Sequence, residues 1–421
     1  MRYKQMTTHQ INRRSWLQTS ATALTSVAAW KSPIIANAAA MRTNAKACIL
    51  LWMGGGPSQF ETFSPKPDHA NGGETTVTST AVSGIQISSQ LPATAAAMKD
   101  LCLIRSVHGP EGSHPRASYV SHTGYLPTAS VKHPTIGAHV VQHIGDQESE
   151  LPSFVHIGRS RGVFSAGLLG VEYDPFILNS ANQMPANTEL STSKDRYVRR
   201  LGLLENLEDD GSTEGSRQFV KANRNLYGKA SRLVLSPQMK TFDITQERSD
   251  VRSSYGDGNF AAGCLMARRL VEAGVTFIEV ASSNWDTHFD NASRTNTLCQ
   301  EVDKPYAQLL ADLKQRGLLD TTLVIWMGEF GRTPRINSRA GRDHYPRAFN
   351  VALAGAGVQG GQVIGATDAS GNNITDQPVS VNDLLTTIYD ALGIDSFHEN
   401  ISRIGRPIQI VEDGEIIDGV F

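Results

Sequence analysis

Short apolar runs alternate with amphipathic segments along most of the chain. Strand-like runs occupy residues 47–53, 101–104, 153–157, 275–280, 322–327 and 351–354. In segments 261–273 and 303–316, apolar residues recur every three or four positions, and each segment leads through a glycine into the next strand. Further helices are predicted at 94–98 and 381–392. This alternation predicts a doubly wound α/β fold, with a mostly parallel sheet and helices on both faces.

The pattern changes between about residues 182 and 258, where charged and polar residues dominate. Segments 192–208 and 217–235 are predicted to form surface helices, joined by an acidic and polar linker. We interpret this region as a polar helical insertion or cap within one domain that spans residues 41–421. The other interpretation is a helical insertion that takes no part in catalysis.

The first forty residues have the features of an export signal. Arg13 and Arg14 precede a bulky apolar position, a mildly apolar run covers 21–30, and Ala36-Asn37-Ala38 offers a small-residue cleavage site. The apolar run is too short to span a membrane permanently. The sequence therefore predicts a twin-arginine signal peptide at 1–40, the twin-arginine translocation machinery as a partner, and a periplasmic or secreted protein. A disordered N-terminal arm is the alternative.

Composition and charge narrow the classes of partner. The chain has 421 residues, 40% hydrophobic and 19% charged, with a net charge of −2. Nucleic acid and anionic membrane surfaces are not expected as partners, because such binding needs a clustered basic surface. The four cysteines lie far apart in the sequence, which argues against both a disulfide framework and a cysteine zinc site.

Acidic and histidine side chains cluster directly after four of the predicted strands. Ligands of open α/β sheets bind beyond the carboxyl ends of the strands, so these clusters should meet. Carboxylate oxygens and imidazole nitrogens are ligands for zinc or manganese, and we predict a divalent metal (zinc, manganese or calcium). The candidate ligands are Asp286, His288, Glu329, Asp343, His344, His114 and Glu61. Asp286 could instead orient a neighbouring imidazole or cap a helix, and Glu61 could be a solvated glutamate at a helix start.

Other loop residues suggest a nucleophile and anion-binding groups. Ser113 is the candidate nucleophile, although serine before proline also often caps a helix. His108 is a further metal or acid–base candidate, and Arg332 or Arg116 could stabilise charge on a transferred group. The glycine loop 54–56 could wrap an anion in backbone N–H groups, but it lacks the remaining features of nucleotide-binding loops, so neither ATP nor NAD is indicated.

One motif suggests a different enzyme class. Residues 158–162 (GRSRG) fit the G-x-S-x-G nucleophile elbow of α/β-hydrolases, with Ser160 as the nucleophile. The elbow requires a helix directly after it. Segment 163–170 is rich in glycine and has no amphipathic pattern, which makes this interpretation the weaker one.

From residue 48 to about 410 the chain resembles the bacterial family called domain of unknown function 1501. This exported group is itself similar to the alkaline phosphatase and sulfatase superfamily. The matching segments are 54–67 (GGGPSQFETFSPKP), 105–124, 134–152, 284–288, 302–334 and 341–346. The resemblance implies an alkaline-phosphatase-like scaffold.

The resemblance also implies roles for individual residues. Asp286 and His288 match the first metal pair of the superfamily, His344 a later metal-binding histidine, and Ser113 the nucleophile position. Glu329 matches an aspartate that a histidine usually follows, but Phe330 stands at that next position. Glu61 and Ser64 stand where relatives commonly have aspartates.

The expected function is an exported metal-dependent hydrolase of phosphate or sulfate esters. Ser113 or a water molecule would attack the ester, and the substrate would be a small-molecule or polysaccharide anionic ester. The alternative is a non-catalytic secreted protein that binds anionic ligands on the same scaffold.

Overall fold

The computed structural model describes residues 46–159, 165–211, 217–402 and 404–421. The predicted signal peptide at 1–40 and Ser160 of the elbow motif lie outside the described residues. The strands of the described chain are β1 (Ala47–Met53), β2 (Val77–Ser79), β3 (Gln86–Ser88), β4 (Cys102–His108), β5 (Phe154–Ile157), β6 (Phe176–Leu178), β7 (Phe277–Ser282), β8 (Thr322–Met327), β9 (Gly331–Arg332), β10 (His344–Tyr345), β11 (Phe349–Ala354), β12 (Gln362–Ile364), β13 (Ala366–Thr367), β14 (Ile374–Asp376), β15 (Val379–Ser380), β16 (Glu399–Ile401) and β17 (Pro407–Gln409). The α-helices are α1 (Pro92–Ala96), α2 (His114–Thr123), α3 (Ile136–Ile144), α4 (Lys194–Gly211), α5 (Arg217–Leu235), α6 (Ser249–Tyr255), α7 (Asn259–Glu272), α8 (Asn291–Gln315) and α9 (Val381–Ala391).

A central sheet organises the fold. Its strand order is β12-β4-β11-β8-β1-β7-β5-β6, and β15 pairs with β4 at one end of that strand. β1 runs parallel to both β7 and β8, whereas β11 is antiparallel to its neighbours β4 and β8. The sheet is therefore mostly parallel, and the predicted α/β class is confirmed.

The two faces of the sheet are covered by different helices. Alternate residues of β1 point to opposite faces, so Ile49 and Leu51 belong to one hydrophobic cluster and Cys48 and Leu50 to the other. The first cluster includes buried residues of α7 and α8, and the second includes buried residues of α3 and α9. Because both faces are buried, the central strands are apolar throughout, as is typical of parallel sheets.

Several predicted elements have different bounds in the structure. β4 extends to His108, and β7 begins at Phe277 and reaches Ser282. Helix α8 begins at Asn291, twelve residues before the predicted start, and contains Pro305 in its interior. Strand β8 has the predicted bounds.

The polar segment between about 182 and 258 contains α4, α5 and α6. Leu233 of α5 and Phe242 belong to the same hydrophobic cluster as α7 and α8, so part of this segment packs on the main core. Across the described residues, the helices are too short or too polar for a transmembrane span.

Candidate metal centre

The loops at the carboxyl ends of the parallel strands β1, β4, β7 and β8 converge on one point. The loop after β7 carries Asp286 and His288, and Glu329 follows β8. His114 begins α2 after β4, and the turn between β9 and β10 brings in Asp343 and His344. Since β1, β4, β7 and β8 run in the same direction, their ends lie on one edge of the sheet.

Asp286 lies at the centre of this group. Its Oδ2 is 3.3 Å from His114 Nε2, and its Oδ1 is 3.1 Å from His288 Nε2 and 3.4 Å from His344 Nε2. The Nε2 atoms of His288 and His344 are 2.9 Å apart. Ligand atoms of His114, Asp286 and His344 lie within 4.8 Å of one another, a spacing suited to a metal ion. We call Asp286, His114, His288 and His344 the central cluster.

Each histidine of the central cluster is held from behind through its other ring nitrogen. His114 Nδ1 lies 2.7 Å from Glu329 Oε1, and His288 Nδ1 lies 2.8 Å from Asp343 Oδ1. His344 Nδ1 lies 2.7 Å from the Gly112 carbonyl oxygen. Carboxylates and carbonyls in this position fix the tautomer and the ring orientation of metal-binding histidines. The arrangement therefore presents three Nε2 atoms to one point.

Glu329 and Asp343 consequently stand behind the histidines. Glu329 is buried and also accepts hydrogen bonds from the Gly55 N–H, at 2.9 and 3.2 Å to its two oxygens. The loop predicted to wrap an anion thus holds a carboxylate of the protein itself. Gly55 has φ +118°, and a Cβ there would lie 2.5 Å from the Asp286 backbone nitrogen, so a glycine is required.

The charges of the cluster are strongly coupled. Burial would raise the pKa of Asp286, but hydrogen bonds with His114, His344 and Arg332 hold it well below its usual range. Burial would lower the pKa of His114, but Asp286 and Glu329 outweigh this effect and raise it to about 9. Asp286 is therefore ionised at neutral pH.

Arg332, a candidate for binding the transferred group, is completely buried beneath the central cluster. Its guanidinium donates to Asp286 Oδ1 at 2.7 Å, to the carbonyl oxygens of Gly56 and Arg342 at 2.9 and 3.1 Å, and to that of Gly55. Through these contacts the positive charge of the guanidinium lies against Asp286 and the glycine loop. In this position Arg332 orients Asp286 and does not face the cavity.

Glu61, a candidate metal ligand, lies outside the central cluster. Its Oε1 accepts hydrogen bonds from Arg342 Nε at 3.1 Å and Nη2 at 2.8 Å, and both side chains are buried. Arg342 directly precedes Asp343 and His344. The pair therefore anchors the turn that supplies these two residues.

The remaining candidates lie near the cluster without joining it. Ser113 is exposed and occupies the N-cap position of α2, but its side chain makes no capping hydrogen bond. Arg116 is exposed and paired with Glu111 at 2.7 Å. His108 lines a different cavity, of about 800 Å³, whose wall does not include the residues of the central cluster.

The ring of Phe330 is buried against the cluster. Its centroid lies 4.9 Å from that of His114 and 4.5 Å from that of His344. Phe330 thus fills, with an apolar ring, the position at which the resemblance implies a further histidine. It limits where the two imidazoles can move.

Sequence reasoning missed several contributors to the site. The Gly112 carbonyl is a backbone group, which no side-chain pattern reveals. Three cations that line the adjoining cavity, Lys132, Arg159 and Arg294, were not among the predicted anion-binding residues either. What these three residues share is only their position in the fold, which the sequence alone does not reveal.

The fold and the site together define an α/β protein with a preformed histidine–carboxylate cluster at the carboxyl edge of its sheet. The chain belongs to the family described as protein of unknown function DUF1501, whose sequence profile matches residues 45–421. No curated protein sequence matches the chain.

Solved structures with some similarity to this fold include a sulfatase, a lipoteichoic acid synthase and a phosphonate monoester hydrolase. The PsFucS1 sulfatase from a Pseudoalteromonas species is 14% identical, with a TM-score of 0.41 over 86% of this chain and 70% of its own. The lipoteichoic acid synthase LtaP from Listeria monocytogenes is 9% identical, with a TM-score of 0.40 over 88% and 76%. The phosphonate monoester hydrolase SpPMH from Silicibacter pomeroyi is 12% identical, with a TM-score of 0.38 over 84% and 74%. Similarity this distant assigns no activity to the chain.

Proposed function

We propose that the protein is an exported, metal-dependent hydrolase of phosphate or sulfate esters. The observation that supports it best is the contact of three histidine Nε2 atoms with the Asp286 carboxylate, with every Nδ1 held by Glu329, Asp343 or a carbonyl. Such pairing is the usual support of metal-binding histidines. Imidazole and carboxylate donors suit zinc or manganese, whereas calcium takes oxygen ligands and fits this set less well.

The residues of the chain have separate roles in this proposal. Asp286, His114, His288 and His344 would hold the metal, which would supply Lewis-acid polarisation of the ester and charge stabilisation. Arg332 keeps Asp286 ionised and oriented. The Ser113 hydroxyl, exposed beside His114 and not used as a helix cap, is the proposed nucleophile, and a water molecule is the alternative.

The substrate and the location of the protein follow from the same proposal. The reaction would take place in the periplasm or outside the cell, after export through the twin-arginine machinery directed by Arg13 and Arg14. The substrate would be a small-molecule or polysaccharide anionic ester. No nucleic acid partner is proposed.

Metal content tests the proposal directly. We expect the mature protein to contain stoichiometric zinc or manganese by mass spectrometry, and the Asp286→Ala/His288→Ala variant to have lost it. The matched control is His143→Ala/Asp395→Ala, which removes the same two residue types outside the cluster and should retain the metal. A folded wild type that takes up no metal when supplied with zinc or manganese would overturn the proposal.

Hydrolysis tests the reaction itself. The metal-loaded wild type should hydrolyse p-nitrophenyl phosphate or p-nitrophenyl sulfate, and the Asp286→Ala/His288→Ala variant should not. Ser113→Ala separates the two nucleophiles, because loss of activity with retained metal supports serine, whereas retained activity supports water.

The non-catalytic alternative has one observation in its favour. Phe330 packs its apolar ring on His114 and His344, where a further ligand would complete a larger metal site. Metal uptake without hydrolysis of either ester class would favour this alternative.

A further inference from the structure

The cavity beside the central cluster is much larger than one ester group requires. Its volume is about 920 Å³, and His114, Asp286 and Glu329 line part of its wall. Ligand cavities of about 300–1,000 Å³ accommodate drug-sized molecules, so this cavity is near the upper end of that range. A molecule that places one anionic group on the central cluster would leave most of this volume for the rest of its structure.

The charges on the cavity wall are distributed unevenly. The wall contains two carboxylates, and both already have partners. Asp286 contacts Arg332 and the histidines, and Glu329 contacts His114 and the Gly55 N–H. The rest of the wall contributes Lys132, Arg159 and Arg294. Among the described residues, no carboxylate oxygen lies within 4 Å of the charged nitrogens of these three cations. Away from the central cluster, the wall therefore has an excess of positive charge.

Arg294 is held in place without a counter-charge. Its Nη1 donates to the Asp286 carbonyl oxygen at 3.2 Å, and its Cζ lies 4.4 Å from the centroid of the Phe289 ring. Arg339 approaches the same ring, with its Cζ at 5.1 Å, and Phe289 is itself exposed and lines the cavity. Stacking on an aromatic ring restrains a guanidinium without neutralising it. Arg294 thus keeps donors available to an anion a short distance from the central cluster.

From this distribution we propose that the cavity binds a second anionic group of the substrate through Lys132, Arg159 and Arg294. The substrate class is an ester that carries at least two sulfate or phosphate groups, one at the central cluster and one at these cations. This inference rests on the proposed function for the first of the two anions. The fork of a guanidinium matches the oxygens of either group, so sulfate and phosphate share the same chemistry here.

Binding measured by calorimetry tests the inference without any reaction. The probes are sucrose octasulfate and inositol hexakisphosphate, with methyl sulfate and methyl phosphate as probes that carry one anionic group. The test variant is Lys132→Gln/Arg159→Gln/Arg294→Gln. The matched control, Lys99→Gln/Arg248→Gln/Arg316→Gln, removes one lysine and two arginines that are exposed and do not line the cavity.

We expect the test variant to bind the better of the two polyanions roughly 30-fold more weakly, because the loss of each of the three contacts should weaken binding about threefold. The control should change by less than about threefold, and binding of the methyl esters should be nearly unaffected in both. The polyanion that binds more tightly identifies the group as sulfate or phosphate.

Three results would overturn the inference. The first is absence of polyanion binding by the wild type. The second is equally weakened polyanion binding in the test and control variants, since the loss of affinity would then come from the net charge of the protein and not from the cavity. The third is equal weakening of the methyl esters and the polyanions, which would place the cations in a site for one anion. Metal content and p-nitrophenyl ester hydrolysis, measured on the same variants, show separately whether the proposed function fails.

Discussion

Glu61→Gln separates a role in folding from a role in metal binding. The substitution keeps the size and shape of the side chain and an oxygen acceptor for Arg342, but it removes the negative charge. Arg342 has no exposed side-chain surface, so its guanidinium would remain buried without a counter-charge. Breaking a buried ion pair by removing one partner costs about 3–5 kcal/mol.

The structure places the expected cost at the lower end of that range. The carbonyl oxygens of Asn71, Thr333 and Pro334 still accept hydrogen bonds from Arg342 and compensate part of its charge. We take the loss of unfolding free energy as about 3 kcal/mol. Domains somewhat smaller than this one lose at least about 2 °C in Tm per kcal/mol, so the expected Tm decrease is roughly 6 °C. Metal content should be unchanged, because Glu61 lies outside the central cluster.

Calorimetric melting and metal analysis of the same samples check this prediction. Glu111→Gln is the control, since its partner Arg116 is exposed and a surface pair contributes about 1 kcal/mol at most. An unchanged Tm with lost metal would refute the reasoning and return Glu61 to the ligand set. An unchanged Tm with retained metal would show that the buried pair contributes nothing measurable.

Two further predictions concern the glycine loop and the centre of the sheet. Gly55→Ala should abolish metal uptake, because the new Cβ would lie 2.5 Å from the Asp286 nitrogen, whereas Gly84→Ala, at φ +83° in open space, should retain the metal in the same analysis. Burial would raise the pKa of Glu279, but His156 and His122 lower it to about 2. The contribution of ionised Glu279 to the free energy of unfolding is therefore present above the ordinary carboxyl pKa of about 4.5 and is lost as the pH falls towards 2. Measured by urea unfolding, the free energy of unfolding of Glu279→Gln should therefore fall less steeply with decreasing pH than that of the wild type.

Much of the fold could be predicted from the sequence because burial on both faces makes the central strands continuously apolar. Thr322–Met327 is apolar after its first residue and ends at a glycine, and its predicted bounds hold in the structure. The start of α8 could not be predicted in the same way. Its first two turns bury the polar residues Asn291 and Thr295, ahead of Leu298, Cys299 and Val302, so an apolar helical period became clear only after residue 303.

The site was only partly accessible to the same reasoning. The rule that ligands bind beyond the carboxyl ends of strands selects the correct loops, and the structure brings Asp286, His288, His114 and His344 together there. It cannot rank the residues within those loops. Glu329 and Asp343 carry the same chemistry as Asp286, yet they contact the far nitrogens of His114 and His288.

The position of Arg332 explains why that ranking depends on burial. A guanidinium three residues after the candidate ligand Glu329 suggests a contact with substrate, but the main-chain path after β8 directs this side chain inward. There it bonds to the glycine loop and to Asp286, and it is completely buried. A cation in that place favours the ionised form of Asp286 and fixes its orientation. The arginines of the proposed second anion site could not be selected from the sequence, because only the folded cavity brings Arg159 and Arg294 to the same wall.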